Sequence, residues 1–141
     1  VIFHAHRQIE SGGTLRLFRS HRPDCRDGEQ RRDFVYVLDV VLVLRFLLDA
    51  PATASGIYNL GTGEARTFLD LGRAVFRAMG REPRIEFVDV PADIRDKYQY
   101  FTRARMDKLR AAGYREPFTS LESGIEDYVT RFLARGVPLT P

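Results

Sequence analysis

RRDFVYVLDVVLVLRFLL, residues 31–48, decides how the rest of the chain is read. Two arginines meet an acid, an aromatic and β-branched run follows, and a second acid opens a long apolar stretch. RDFVYV, residues 32–37, has strand composition. Asp39 is placed to cap a helix running through Leu48, with APATASG (residues 50–56) as its terminator. A surface helix shows a polar stripe, and VVLVLRFLL shows none. It is therefore expected to lie buried between two layers, and a chain this short has little material for both.

Helix and strand signals alternate outward from this stretch. Residues 1–8 read as the tail of a helix ended by SGG at 11–13, and TLRLF (14–18) alternates as a short strand. Residues 20–30 are polar, with Pro23 and Gly28, and form a surface loop. GIYNLG (56–61) is a β-run leading into the tight GTG of 61–63. A helix follows, with Thr67 and Asp70 spaced as a capping box, Leu69, Leu71, Val75, Phe76 and Met79 inward, and Gly80 as its stop. RIEFVDVP (84–91) reads as a strand, 102–112 as a helix stopped at Gly113, and 119–134 as a last amphipathic helix with a second box, Thr119 with Glu122. The reading is an α/β or α+β fold in one continuous unit, residues 1–141.

Composition narrows the class. The 141 residues are 44% hydrophobic and 29% charged, enough for a real core. Of the 22 basic residues only Lys97 and Lys108 are lysines, and arginine forks suit phosphate and carboxylate. Acids are interspersed among the bases, so there is no basic stripe of the kind that reads nucleic acid, and no nucleic-acid partner is expected. The one cysteine, Cys25, excludes an internal disulfide and fits a reducing compartment. His4 and His6 with the remote His21 make no metal quartet. The apolar run at 40–48 is broken by Arg45 and too short to span a bilayer, so no membrane partner is expected.

Three motifs carry chemistry. GTG after a strand invites a dinucleotide-binding reading but lacks the second half of GxGxxG, so a plain β-to-helix turn fits better. DKYQYFT (96–102) sets tyrosines beside a lysine in the wrong order for Tyr-x-x-x-Lys catalysis. Its tyrosines either close the core or bind a polar ligand. Arg31 and Arg32, at the start of a strand, can hold a guanidinium at a cleft edge against a diphosphate, or remain solvated.

Taken in order, RDFVYV with its apolar helix, GIYNLGTG and the helix behind it resemble the C-terminal half of extended short-chain dehydrogenases/reductases acting on nucleotide sugars. KYQYFT and LRAAGYREPFTSLESGIEDYV are similar, nearly position by position, to the ADP-glycero-manno-heptose 6-epimerase branch of that family. The resemblance runs from Val1 across essentially the whole chain and narrows the fold to α/β. It implies an N-terminal Rossmann domain, absent from these residues, that binds NADP, and a C-terminal part that forms the nucleotide-sugar pocket. The strand 56–61 and helix 39–49 are then expected to pack on that domain. The implied reaction inverts heptose C6 by hydride removal to the cofactor and its return to the other face, with a Tyr and Lys as acid/base pair and no net redox. The product serves the lipopolysaccharide inner core, in a cytoplasmic homo-oligomer.

Carried over residue by residue, the resemblance puts His4 at a substrate-contacting position and Phe18 at a strand end whose following backbone, with Ser20, cradles the ADP part. Arg32 becomes the diphosphate ligand and Tyr98 a further ligand contact. None of these is catalytic, since no Tyr-x-x-x-Lys lies in the chain. Two departures touch the adenosine side. Arg19, Ser20 and His21 stand where the family has an acid, a glycine and a serine, and the loop to Arg32 is longer. A related epimerase or dehydratase with another nucleotide or sugar is the alternative they raise, and a non-catalytic ligand-binding fragment is the other. Leu38, where a small or polar residue is usual, has no physical explanation.

Overall fold

A computed structural model describes residues 1–50 and 55–135. In chain order the elements are helix α1 (Ile2–Gly12), strands β1 (Leu15–Phe18) and β2 (Arg31–Arg32), helix α2 (Val37–Asp49), strand β3 (Arg66–Thr67) and helix α3 (Phe68–Ala78). Strand β4 (Ile85–Val88) and helices α4 (Ala92–Arg95), α5 (Asp107–Ala111) and α6 (Leu121–Tyr128) follow, and α6 widens into a π-turn at Val129–Leu133. β1 pairs in parallel with β4, Leu15 opposite Ile85, and β2 pairs antiparallel with β3, Arg31 opposite Thr67.

The main core lies where α1, α3 and α6 close over the β1–β4 pair. Ile9, Leu71, Val75, Phe76 and Ile125 are its fully enclosed members. Each contributes roughly 1.5–3 kcal/mol by leaving water. Gly72 lets α3 come down on the sheet: a Cβ there would sit 2.8 Å from Leu15 Cδ2. α1 ends at Gly13 in the left-handed conformation (φ 68°), whose N–H returns to the Ile9 carbonyl at 2.9 Å. The expected capping box of α3 is formed, Asp70 N–H donating to Thr67 Oγ1 (2.9 Å) and Thr67 N–H to Asp70 Oδ2 (3.1 Å).

Several local expectations are corrected. RDFVYV is a strand only at its arginine end. Asp33 turns inward instead of continuing the ladder, and α2 starts at Val37, before Asp39. Asp39 is not its cap. It is buried in the first turn, where it accepts from the Thr119 N–H and hydroxyl, both at 2.8 Å. With Thr119 engaged there, α6 is capped by Ser120, which accepts from Ser123 N–H, and Glu122 forms no box but pairs with Arg66. GIYNLG forms no strand, and its Ile57 is 90% exposed. The helix expected at 102–112 shrinks to α5 because its first half runs extended beside β2, Thr102 N–H donating to the Arg31 carbonyl. Residues 51–54 of the APATASG terminator lie outside the described residues.

α2 is not buried between two layers of this chain. Val43 packs into a second, small core with Leu109 and Tyr114. Val37, Val41, Leu44 and Leu48, spaced along one helical face, are 54–85% exposed. Among the described residues no helix is long and apolar enough to cross a membrane.

Candidate functional site

A cleft of about 310 Å³ opens between α1 and the start of α3, with β1 as its floor and Gln30, Arg32 and Tyr98 along one side. Its surface is largely apolar, which suits the flat or aliphatic part of a ligand, with a few polar groups left to orient it. Four of the five sequence-derived positions border it: His4 from α1, Phe18 from the end of β1, Arg32 from β2 and Tyr98 from the segment after α4. Ser20 does not. Its backbone N–H donates to Asp27 Oδ1 (2.7 Å) and its hydroxyl to the Arg22 carbonyl (3.2 Å), turning it into its own loop.

The aromatic side chains form a stepped wall. Phe18 meets Tyr98 edge to face at 5.6 Å, and Tyr98 meets Tyr100 the same way at 5.7 Å. Arg32 is threaded into this wall, its guanidinium 5.5 Å from the Tyr98 ring centre and 5.8 Å from that of Phe68. Two of its nitrogens donate to backbone carbonyls, Nη1 to Arg31 (2.8 Å) and Nη2 to Gln99. Those carbonyls and rings fix the side chain without neutralising it, because none of them carries a formal charge. Burial pushes the Tyr98 phenol up from its ordinary range, against the opposing pull of the Arg32 charge. A held cation, a neutral phenol and the His4 imidazole over an apolar floor suit the capture of an anion joined to a ring.

Two arrangements escaped the sequence reading. Gln30 is 1% exposed, borders the cleft, and donates from Nε2 to the Phe18 carbonyl at 3.2 Å. Its spacing two residues before Arg32 on an extended segment was the signal available for it. The other is Asp33, whose carboxylate accepts from the N–H groups of Thr62 (2.8 Å), Gly63 (2.9 Å) and Ala104 (3.0 Å) and from the Thr62 hydroxyl (2.6 Å). Burial pushes that carboxyl up, but these four donors outweigh it and hold it below the usual carboxylate range. The Asp33 latch ties the GTG turn and the segment after Tyr98 to the strand that carries Arg32.

The latch also bears on a dinucleotide cofactor. A Gly-rich phosphate turn works by offering free backbone N–H groups. Here the N–H groups of Thr62 and Gly63 are already committed to Asp33, and a Cβ on Gly61 would lie 2.6 Å from the same carboxylate. GTG does not fit a cofactor's phosphates; it is a structural turn.

The pattern of the NAD dependent epimerase/dehydratase family matches residues 1–61. The chain is 54% identical over 138 residues to an ADP-L-glycero-D-manno-heptose-6-epimerase of Nitratidesulfovibrio vulgaris, covering 98% of this chain and 42% of that protein. It is 43% identical to the enzyme of the same name from Fusobacterium nucleatum, over 96% of this chain and 42% of the relative. Among solved structures, ADP-L-glycero-D-manno-heptose-6-epimerase of Helicobacter pylori superposes with a TM-score of 0.73 at 25% identity, covering 94% of this chain and 37% of that one. A UDP-N-acetylglucosamine 4-epimerase from Methanobrevibacter ruminantium reaches 0.76 at 17% identity over 96% of this chain and 39% of its own, a likeness of fold alone. The chain spans about 42% of the length of the curated relatives it matches, and it corresponds to their C-terminal part.

Proposed function

We propose that the chain belongs to the NAD dependent epimerase/dehydratase family and is the substrate-holding part of an enzyme inverting C6 of ADP-glycero-manno-heptose for lipopolysaccharide inner-core synthesis. The observation that carries this reading is the convergence of His4, Phe18, Arg32 and Tyr98 on one cleft, with an arginine fixed among aromatic rings. Identity of 54% to relatives of that name over nearly the whole chain supports the sugar and the base.

In this reading Arg32 grips the diphosphate, the Phe18–Tyr98 wall faces the nucleoside, and His4 approaches the sugar from across the cleft. A nicotinamide dinucleotide supplies the redox chemistry of such an enzyme. The GTG turn is committed to Asp33 and offers it no phosphate cradle; we assign its binding mainly to an N-terminal domain, with NADP as the specific form proposed. The exposed face of α2 and the apolar residues around Ile57 then pack on that cofactor-binding part, and the whole enzyme is a cytoplasmic homo-oligomer.

The test is to supply the whole protein with ADP-glycero-manno-heptose of one C6 configuration and follow the sugar by proton NMR. Appearance of the other configuration supports the proposal. An unchanged heptose, with turnover of a UDP- or GDP-sugar instead, rejects it.

A further inference from the structure

We infer that Gln30 reads the ribose of the bound nucleotide: its amide oxygen accepts a hydrogen bond from a ribose hydroxyl, so ribonucleotides are held in preference to deoxyribonucleotides. The inference rests on the nucleotide-sugar reading above and assigns a residue to it.

The amide of Gln30 can be oriented from its surroundings. Only the NH₂ end can donate, so the bond from Nε2 to the Phe18 carbonyl at 3.2 Å sets which end is which. The oxygen is the remaining end, and among the described residues no group donates to it. With the side chain 1% exposed, that oxygen has little room for water, and a donor from a bound ligand completes its hydrogen bonding. The residue borders the cleft, so a ligand can supply that donor.

The position along the strand says which part of the ligand it faces. Gln30 and Arg32 both border this cleft, whereas Arg31 between them points into a different hollow beside Tyr100 and Phe101. That is the alternation of an extended chain, and it separates the two positions by roughly 6.6 Å. Arg32 and Arg16 both border the cleft, and Arg32, held against the Tyr98 ring on the same extended segment as Gln30, takes phosphate. Gln30 is tied to Phe18, the outer ring of the aromatic wall, where a flat base stacks. Ribose is the piece that joins phosphate to base, so its hydroxyls pass the Gln30 oxygen.

Calorimetric titration of the whole protein with ADP, 2′-deoxy-ADP and 3′-deoxy-ADP tests this. One of the deoxy analogues is expected to bind the wild type about two- to twelvefold more weakly than ADP, the range of one neutral hydrogen bond. In Gln30→Met that ratio is expected to fall to near one. In Gln30→Glu, which keeps an acceptor without the amide donor, it is expected to persist. Equal binding of all three ligands by the wild type overturns the inference, as does a full ratio in Gln30→Met or a lost ratio in Gln30→Glu. A merely structural Gln30 weakens every ligand alike and leaves the ratio where it was, which also overturns it. Failure of the wild type to bind ADP at all is a different result, and rejects the nucleotide reading itself.

Discussion

Asp33 accepts two hydrogen bonds from Thr62, one from its backbone N–H at 2.8 Å and one from its hydroxyl at 2.6 Å, and so fastens the GTG turn to the strand that carries Arg32. The same carboxylate also holds Gly63 and Ala104. A residue adjacent to the proposed diphosphate ligand thus joins three segments distant in sequence.

Asp33→Ala is expected to cost about 3 kcal/mol, because it strands three backbone N–H groups whose partner was a charged oxygen. The latch also carries a pH signature. Its folded-state pKa is depressed, so its stabilisation is present above the ordinary aspartate range near 3.8 and is lost as pH falls through the lower folded value. Urea unfolding of wild type and Asp33→Asn should differ at neutral pH and converge in acid. A constant difference down to strong acid would show that the carboxylate is not what holds the turn.

Gly28 carries a second constraint beside the cleft. Its φ is 74°, and a Cβ there would meet Leu69 Cγ at 2.8 Å and Phe87 Cε1 at 2.9 Å. Gly28→Ala combines left-handed strain with overpacking and is expected to cost roughly 2–4 kcal/mol. Thermal unfolding reads this directly, and a change within experimental error would mean that the loop rearranges freely.

Tyr36 joins the entry of α2 to α6 by donating its hydroxyl to Asp127. Burial, then the neighbouring Asp127 carboxylate, pushes its phenol up to about 12. The pKa is raised on folding, so this contribution is complete below the ordinary tyrosine range and disappears as pH rises through about 12. Tyr36→Phe is expected to lose about 1–2 kcal/mol at neutral pH. A spectrophotometric titration should show one late-ionising phenol in the wild type that is missing from the variant, and loss of a phenol that ionises in the ordinary range would contradict the assignment.

The cap at Thr67 and Asp70, the apolar face of α3 and the glycine stop of α1 were legible because each is local, written in residues within four positions of one another. The errors came from distant partners. Asp39 looks like a helix cap until Thr119 arrives to occupy it, and Thr119 looks like a cap until Asp39 claims it. RDFVYV has strand composition, yet only its arginine end pairs in a ladder, and the Asp33 carboxylate binds Thr62, Gly63 and Ala104, residues distant in sequence. The same holds at the cleft. Arg32 and Tyr98 stood out by motif, whereas Gln30 did not, because its importance lies in a bond to Phe18 across a long loop.

α2 offers a further check. Val41, Leu44 and Leu48 lie exposed on one face, a patch of the kind that marks an interface. Expressed without the rest of its protein, the chain should self-associate or bind a hydrophobic dye, and Val41→Lys with Leu44→Lys should relieve both. In the whole protein the same double substitution should destabilise the fold. No effect in the whole protein would mean the face is free there too.

The central claim is that the cleft around Arg32 holds the diphosphate of a nucleotide sugar. Calorimetric titration of ADP into the whole protein, wild type against Arg32→Ala, tests it most directly. The account predicts that the substitution weakens binding by roughly 1–3 kcal/mol, the scale of a charge-assisted hydrogen bond, with the unfolding midpoint little changed. Equal affinity in the two proteins would remove Arg32 from the site and contradict the claim.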